Sequence, residues 1–558
     1  MKRVIISVIA LFLCLTMWAI PAKPGQRRTI RLADGKETVA TLCGDEHAHF
    51  WLGDDGQCYI ETDDNKGFTP VALQTLQERA AKRRATLRRN QRLQPRRVTM
   101  GTRTHYTGTK KGIVILVQFS DVMFSKPDPL ALYQRILNEE GYREGKFKGS
   151  AADYFKEQSN GQFKLVFDVV GPYALSREQS YYGSNDRNGE DKHADEMIIE
   201  ACQLADGEVD FADYDWDGDG EADQVYVLYA GKGEADGGGV RTIWPHMWTL
   251  TEARNETLTL DSITIDTYAC SNELTPSNQL SGIGTFCHEF SHCMGFPDFY
   301  DTSYSGWTGM GSLDLMCSGS YNGDSFLPAG YTAHEKMMCG WKEPIVLGET
   351  DLQVDSLLPM YMDGSTYIIY NDAYPDEYFM IENRQKGGFD ASYPGRGLLI
   401  THVDFDQELW ECNCPNTKIT AQSSDHIELG YPLNDHQRMA PVPADNRLNE
   451  YSVGTDMYPY GTLDSLSSHS TPVATLYNNN LKGTKTVEWA ITDIVQHDNG
   501  TMSFRYRAPS KNEEEPTGIR SVTTESQPGH QYFTLSGQRV AKATKGIYLR
   551  NGKKYIFR

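Results

Sequence analysis

The stretch CHEFSHCMGFPDFYD, residues 287–301, constrains this chain more than any other part of its sequence. It contains HExxH, the pattern in which two histidines on one helix bind zinc. His288 and His292 are four residues apart, so both imidazoles project from the same helix face. Glu289 lies beside them and is the candidate general base. Because a catalytic zinc takes three protein ligands and leaves one position for water, the two histidines do not complete a site.

Asp298 is the best candidate for the third ligand, because it lies six residues after His292 in the pattern HExxHxxGxxD. Metzincins place a third histidine at this spacing. Gly295 permits the backbone conformation that ends a helix and turns the chain back, so a ligand can reach the metal from outside the helix. An aspartate there would give a His-His-Asp shell. Two other carboxylates stay open as alternatives: Asp314, on the plan of thermolysin-like enzymes, and Asp301.

A methionine turn is expected in the segment SLDLMCSGSYNG, residues 312–323. Metzincins carry a methionine under the zinc, in a tight turn after the third ligand. Met316 would form that apolar floor without binding the metal, and the Ser-Gly-Ser that follows it favours a turn. Tyr321 is a candidate for stabilising the substrate oxyanion, with a packed tyrosine as the alternative.

The acidic loop DYDWDGDGEAD, residues 213–223, is a candidate calcium site. Calcium binds oxygen ligands at alternate positions, with a glycine for the sharp turn. Two registers of the pattern DxDxDGxx(D/E) fit: Asp213, Asp215, Asp217 and Glu221, or Asp215, Asp217, Asp219 and Asp223. Neither register places a glutamate at the twelfth position of an EF-hand loop. A solvated acidic turn is the alternative, but six acidic residues in eleven would repel one another without a cation.

The N-terminus, residues 1–22, has the pattern of a secretory signal peptide. A charged start at Lys2 and Arg3 is followed by an apolar run, and cleavage after Ala19 or Ala22 is expected. An uncleaved membrane anchor is the alternative. The net charge of −21 argues against nucleic acid and against an anionic membrane surface as partners.

Removal of the signal peptide would leave ten of the eleven cysteines. An even number in an exported chain permits disulfide bonds, although the sequence does not show which cysteines pair. Cys287 and Cys293 flank the two histidines, but each points about 100° away from the neighbouring histidine around the helix. We therefore expect buried thiols or a disulfide there and not zinc ligands.

The chain of 558 residues is too long for one ordinary domain. The expected fold class is α+β, with a metzincin-like zinc protease catalytic domain between β-rich units. The expected units are a signal peptide (1–22), a β-rich propeptide (23–105), the catalytic domain (106–342), a β-sandwich-like domain (343–508), a linker (509–527) and a small C-terminal β domain (528–558). The basic linker RRNQRLQPRR, residues 88–97, suits cleavage by a protease that cuts after arginine.

Several long blocks resemble the immune inhibitor A (thuringilysin) family of secreted metalloproteases. They are the zinc segment continued to Gly323, the earlier blocks DWDGDGEADQVYVLYAG and IWPHMW, and EYFMIENRQKGGFDASYPGRGLLITHVD after it. The resemblance implies a zinc-dependent endopeptidase that is made as a zymogen and carries calcium sites. By position it implies the ligands His288, His292 and Asp298, the base Glu289 and the methionine turn at Met316. This chain departs from the pattern in its cysteines around the helix and in Ser291, where glycine is common.

The C-terminal segment YFTLSGQRVAKATKGIYLRNGKKYIFR resembles the sorting domain that directs Bacteroidetes proteins through type nine secretion. The alternative is a small accessory β domain that stays on the enzyme and binds substrate. Its apolar residues are too few for a membrane anchor. The resemblance implies an origin in a Bacteroidetes-type organism and export by that secretion machinery.

These patterns together predict a secreted or cell-surface endopeptidase with one catalytic zinc and a structural calcium. Its expected partners are protein or peptide substrates, an activating protease and the secretion machinery, with neither nucleic acid nor a stable membrane anchor. A surface adhesin or carbohydrate-binding protein on a degenerate protease fold is the alternative, but the base and both histidines are intact. The group that would block the metal before activation is left open among Cys43, Asp45, Glu46, His47 and His49.

Overall fold

The computed structural model divides the chain into two compact units, Met1–Pro509 and Ser510–Arg558. It is a mixed α+β structure with several sheets and few helices, compatible with a protease domain. The residues it describes are 22–45, 48–62, 67–81, 106–186, 189–423, 426–427, 430–449, 452–509, 532–534, 539–540, 546–550 and 553–557. Among these residues, no helix combines the length and the apolar character needed to cross a membrane.

An antiparallel sheet of five strands in sequential order forms the N-terminal part of the first unit. Its strands are β1 (Arg27–Arg31), β2 (Glu37–Gly44), β3 (His49–Gly53), β4 (Cys58–Glu61) and β5 (Phe68–Val71). Gly35 and Gly56 have positive φ angles of 87° and 77° in the turns that join β1 to β2 and β3 to β4. Glycine adopts this conformation without steric cost, which explains both hairpins. A helix, α1, follows and is described over residues 73–81.

A mixed five-stranded sheet in the order β7-β6-β8-β12-β9 supports the zinc segment. The strands of this region are β6 (Gly108–Gln118), β7 (Phe163–Ala174), β8 (Val225–Lys232), β9 (His246–Thr249), the hairpin β10 (Leu258–Leu260) and β11 (Ile263–Ile265), and β12 (Thr267–Leu274). Its helices are α2 (Pro129–Asn138), α3 (Ala151–Gln158), α4 (Gln179–Gly183), α5 (Ala194–Ala205), α6 (Leu250–Arg254), α7 (Gly284–Cys293) and α8 (Ala333–Met338). Only β9 runs antiparallel to its neighbour in this sheet.

Strand β6, which lies between β7 and β8, explains why the sheet forms. Residues 113–117 are all apolar, and none of their surface is exposed. A parallel strand flanked on both sides and covered on both faces requires such a continuous apolar run. The sequence predicts β6, β7, β8 and helix α7, but the strands β9 to β12 between the Gly-rich loop and α7 were not predicted.

Two further sheets follow the zinc segment and share one apolar core, which includes Ile381, Ile400, Ile491 and Phe504. The first has the order β13-β15-β16-β17-β18 and the second the order β14-β21-β20-β19. Their elements are β13 (Ile345–Val346), β14 (Leu352–Leu357), β15 (Tyr367–Tyr370), β16 (Glu377–Arg384), β17 (Gly397–Asp404), α9 (Gln407–Glu411), β18 (Met439–Pro441), β19 (Leu466–Ser467), β20 (Ala490–Gln496) and β21 (Met502–Arg507). We call the region from residue 343 to residue 509 the two-sheet region.

The second unit contains four short antiparallel strands in the order β23-β22-β24-β25. They are β22 (Tyr532–Thr534), β23 (Arg539–Val540), β24 (Gly546–Arg550) and β25 (Lys553–Phe557). In the first unit, short 3-10 turns occur at Phe211–Tyr214, Gly311–Leu313, Ser318–Tyr321, Met360–Met362, Gly388–Ser392 and Val453–Thr455.

Candidate metal centre

Helix α7 carries the two histidines and ends in a turn that Gly295 makes possible. The Gly295 N–H donates to the carbonyl of His292 at 2.8 Å, and the Phe296 N–H donates to the carbonyl of Ser291 at 3.2 Å. This pair of bonds is a Schellman motif, and Gly295 has the positive φ angle, 88°, that the motif requires. The chain therefore reverses directly after the helix and brings Asp298 back towards the histidines.

Three ligand atoms converge at this reversal. The Nε2 atoms of His288 and His292 are 3.0 Å apart. Asp298 Oδ1 lies 3.2 Å from the first nitrogen and 3.3 Å from the second. Around a tetrahedral zinc with bonds of about 2.0–2.1 Å, neighbouring ligand atoms lie about 3.3 Å apart. The donor set and its spacing therefore fit a zinc ion.

Backbone carbonyls set the tautomer of both imidazoles. His288 Nδ1 donates to the carbonyl of Leu315 at 2.7 Å, and His292 Nδ1 donates to the carbonyl of Phe296 at 2.7 Å. Since a carbonyl only accepts hydrogen bonds, each Nδ1 carries the proton and each Nε2 presents its lone pair to the other ligand atoms. Burial lowers the pKa of His288, which keeps this ring neutral.

The charges of the site are arranged so that Asp298 stays ionised. Burial alone would raise the pKa of Asp298, but the neighbouring imidazoles of His292 and His288 lower it well below its usual range. Glu289 behaves differently: burial and the charge of Asp298 raise its pKa, and a hydrogen bond from the Met247 N–H opposes them. Glu289 is thus a buried carboxyl with a high proton affinity beside the three ligand atoms.

The segment around Met316 contacts both helix α7 and the chain that follows it. Leu315 supplies the carbonyl that orients His288, and the Met316 carbonyl accepts a bond from the Phe299 N–H at 2.8 Å. Met316 is fully buried. Tyr321 ends a 3-10 turn nearby. Burial and the charges of Asp236 and Glu289 raise the pKa of Tyr321, so its hydroxyl stays protonated and able to donate.

The two alternative third ligands have other partners. Asp314 accepts a hydrogen bond from the Met316 N–H at 2.7 Å, and burial raises its pKa to about 7. Asp301 accepts bonds from the backbone N–H groups of Ser303, Ser305 and Trp307. The structure therefore brings Asp298 to the histidines and directs Asp314 and Asp301 into the fold of the neighbouring loops.

Some carboxylates of the acidic loop cluster together, whereas others bond to different partners. Carboxylate oxygens of Asp215, Asp217 and Asp223 lie within 4.8 Å of one another. Asp213 instead accepts a bond from Lys111 Nζ at 2.7 Å, and Asp219 accepts one from the Glu221 N–H at 2.9 Å. Of the two registers, the second has more of its carboxylates together.

The N-terminal part of the chain packs against the region around the candidate centre. The Tyr304 hydroxyl oxygen lies 2.5 Å from both Asp45 Oδ1 and the Ala48 carbonyl oxygen, and its one proton bonds this pair of acceptors. His49 stacks on Trp244 with ring centroids 4.6 Å apart and lies 3.1 Å from Glu234. Cys43 Sγ is 3.6 Å from the carbonyl of Thr41. Of the five candidates for blocking the metal, Glu46 and His47 lie outside the described residues.

A residue that was not predicted from the sequence contacts Asp298, the candidate third ligand. Asn413, in the two-sheet region, donates from Nδ2 to Asp298 Oδ2 at 2.7 Å. Its Oδ1 accepts a bond from the Asp298 N–H at 2.5 Å. The two residues are 115 positions apart, and no local pattern around Asn413 points to a metal site.

A family model described as the catalytic domain of immune inhibitor A peptidase M6 matches residues 101–340. The chain therefore carries a peptidase M6 domain, and the resemblance inferred from the sequence is confirmed for this part of it. The domain contains the His288, Glu289 and His292 cluster.

Two curated metalloproteases are similar to the chain at low identity. The pre-pro-metalloprotease PrtV of Vibrio cholerae serotype O1 is 27% identical over 231 residues, which are 37% of this chain and 25% of that protein. Immune inhibitor A of Bacillus thuringiensis subsp. alesti is 24% identical over 308 residues, 46% of this chain and 44% of that protein. The chain thus matches less than half the length of either relative. The M6 domain and these homologies support a metalloendopeptidase.

Proposed function

We propose that this chain is a secreted zinc-dependent endopeptidase that hydrolyses peptide bonds of extracellular proteins and is made as a zymogen. The convergence of His288 Nε2, His292 Nε2 and Asp298 Oδ1 beside Glu289 carries the proposal. A metzincin-like plan fits the spacing of these residues, the buried Met316 and the antiparallel edge strand β9. The origin of the chain in a Bacteroidetes-type organism is part of the same proposal.

The chain's own residues divide the chemistry between them. His288, His292 and Asp298 would hold the zinc, which when bound lowers the pKa of its water towards 7 and polarises the scissile carbonyl. Glu289 takes a proton from the attacking water and passes it to the leaving amine. Tyr321, kept protonated, is the candidate donor of a hydrogen bond to the developing oxyanion. No covalent intermediate with the protein is needed.

Casein cleavage with and without a chelator tests the proposal. We expect hydrolysis that the chelator abolishes and that added zinc restores, because water activation depends on the metal. A zinc-loaded, processed chain that leaves both casein and short peptides intact would instead favour the adhesin or carbohydrate-binding alternative. The assay also separates an endopeptidase from an enzyme that acts on short peptides, which would cleave peptides and spare casein.

Residues 23–105 are proposed to form an inhibitory propeptide that keeps the enzyme inactive until it is cut. The contacts of Tyr304 with Asp45 and of His49 with Glu234 and Trp244 support this role. The Vibrio relative is named a pre-pro-metalloprotease, which favours the same processing here. The activating protease would cut the basic linker at residues 88–97.

The uncut chain should therefore hydrolyse casein about 100-fold more slowly than the cut chain, since a tethered segment has a millimolar effective concentration against an assumed affinity of about 10 μM. The measurement compares the purified precursor with the same sample after limited cleavage by an arginine-specific protease. A precursor in which the arginines of the linker are replaced by glutamine is the control and should stay latent after the same treatment. Full activity of the intact precursor would remove the proposal.

Calcium binding at the acidic loop is proposed as a structural role, with Asp215, Asp217 and Asp223 supplying oxygens. We expect calcium at 100 times its dissociation constant to stabilise the fold by about 2.7 kcal/mol, seen as a rise in the melting temperature. Asp217→Asn should abolish this rise. Asp213→Asn is the matched control and should keep it, because Asp213 pairs with Lys111. A rise lost in Asp213→Asn as well as in Asp217→Asn would favour the register that begins at Asp213, whereas a rise kept in Asp217→Asn would contradict both registers.

Export by the N-terminal signal peptide and sorting by residues 528–558 complete the proposal. Residues 1–21 of the predicted signal peptide lie outside the described residues. The four strands of the second unit are compatible with a small separate β domain. Extracellular proteins as substrates, an activating protease and the secretion machinery are the partners proposed.

A further inference from the structure

The segment that carries the third ligand is held by a loop from the two-sheet region, not by the M6 domain alone. Residues 413–418 run alongside residues 298–303. Beyond the Asn413–Asp298 pair, Thr417 contacts Thr302 through the two hydroxyls, and the Lys418 N–H donates to Ser303 Oγ at 3.0 Å. Both contacts keep the sequence offset of 115 positions seen for Asn413 and Asp298.

Further contacts hold residues 413–418 and their flanking residues in place. Asn416 Nδ2 donates to the carbonyls of Phe299 and Met439 at 2.9 and 2.8 Å. Trp410, on α9, packs on Phe299 with ring centroids 6.0 Å apart. Asp298 therefore reaches the histidines on a strip of chain whose position depends on residues outside the matched domain.

Asn413 occupies the turn that ends α9. The Asn413 N–H donates to the carbonyl of Trp410 at 3.2 Å, and the Cys414 N–H donates to the carbonyl of Leu409 at 2.8 Å. These bonds form a second Schellman motif, and Asn413 has the positive φ angle, 56°, that this position requires. Glycine or asparagine suits this backbone, but only asparagine also supplies a side chain.

The side chain of Asn413 assigns different roles to the two oxygens of Asp298. The backbone N–H of Asp298 only donates and its carboxylate only accepts, so the orientation of the Asn413 amide is unambiguous. Oδ2 is held by the amide at 2.7 Å, whereas Oδ1 faces the two imidazoles. An aspartate at position 413 would accept from the N–H but could not donate to Oδ2 in its ionised form.

We propose that Asn413 is a positioning residue of the metal centre, which orients Asp298 so that Oδ1 alone faces the zinc. This inference rests on the proposed zinc site and goes beyond it, because it makes the two-sheet region part of the metal centre. Outer-shell partners of metal ligands typically contribute 10- to 100-fold in metal affinity. The M6 domain alone, residues 101–340, lacks this partner.

Zinc dissociation constants of full-length variants, measured by chelator competition, test the role of Asn413. Asn413→Gly keeps the helix-ending backbone and removes the amide, so we expect zinc affinity to fall about 10- to 100-fold. Asn413→Asp is nearly isosteric and places a second carboxylate against Oδ2, so its loss should be at least as large. Each variant also loses hydrogen bonding with Asp298, so a modest fall in the melting temperature of the zinc-free protein should accompany the loss of zinc affinity.

Asn446 provides the matched control, because it is an exposed asparagine with a similar φ angle of 60° in the same region. Asn446→Gly and Asn446→Asp should bind zinc as the unmodified chain does. Wild-type affinity in both position-413 variants, or a lower melting temperature without a change in affinity, would overturn the positioning role. An unmodified chain that binds no zinc would overturn the proposed function itself.

Discussion

Glu289→Ala should retain zinc and lose casein hydrolysis by about 10²- to 10⁴-fold, the usual contribution of a general acid–base group. The proposed ligand atoms belong to His288, His292 and Asp298, so removing the neighbouring carboxyl would leave the proposed metal shell complete. The proton of the attacking water then has no nearby acceptor. Metal content by elemental analysis and the rate of casein cleavage are measured on the same samples.

Glu289→Gln separates proton transfer from packing. Glu289 is buried, and its carboxylate accepts a hydrogen bond from the Met247 N–H of the edge strand β9. The glutamine side chain keeps the volume and an acceptor for that N–H but cannot take a proton. It should therefore be as inactive as the alanine variant. Wild-type activity in either zinc-loaded variant would overturn the assignment of the base.

The zinc helix could be predicted because its pattern is local. His288 and His292 lie on one face by helical spacing, and the glycine that ends the helix precedes the third ligand by three residues. The same holds for β6, whose apolar run requires burial on both faces. Hairpin turns at Gly35 and Gly56 are equally local, because a positive φ angle depends on the residue itself.

Strand β12 was missed because its sequence, TYACSNEL, has no apolar run. It is buried along its whole length because β8 and β9 flank it on both sides. Its polar side chains find partners within the fold: Asn272, for example, donates to the Leu274 carbonyl at 2.9 Å and contacts Asp236. Burial that depends on distant neighbours leaves no periodicity in the strand's own residues.

Asn413 shows the same limit for the candidate site. Its neighbours in sequence, Cys412 and Cys414, suggest a disulfide bond, and nothing in this short segment indicates a role for the asparagine between them. The contact with Asp298 spans 115 positions and arises only when two regions pack together. The candidate ligands could therefore be proposed from the sequence, whereas the orientation of the Asp298 carboxylate could not.

Asp298→Ala should lower zinc affinity by more than about 100-fold, which is the upper end of the loss expected for an outer-shell partner. Activity should fall together with the zinc affinity. The change removes one of three ligand atoms and leaves the Nε2 atoms of His288 and His292 as the only ones. It also leaves the Asn413 amide without the carboxylate that it orients. Zinc affinity by chelator competition and casein cleavage at saturating zinc are the two measurements.

Asp314→Ala is the matched comparison, since both aspartates are buried and both lie after the zinc helix. Its carboxylate accepts from the Met316 N–H, so we expect a less stable protein whose zinc affinity stays close to that of the unmodified chain. Asp314→Asn keeps an acceptor for this N–H and should recover most of the lost stability. The opposite pattern, with zinc lost in the Asp314 variants and kept in Asp298→Ala, would mean that the site follows the thermolysin plan with a distal acid as its third ligand.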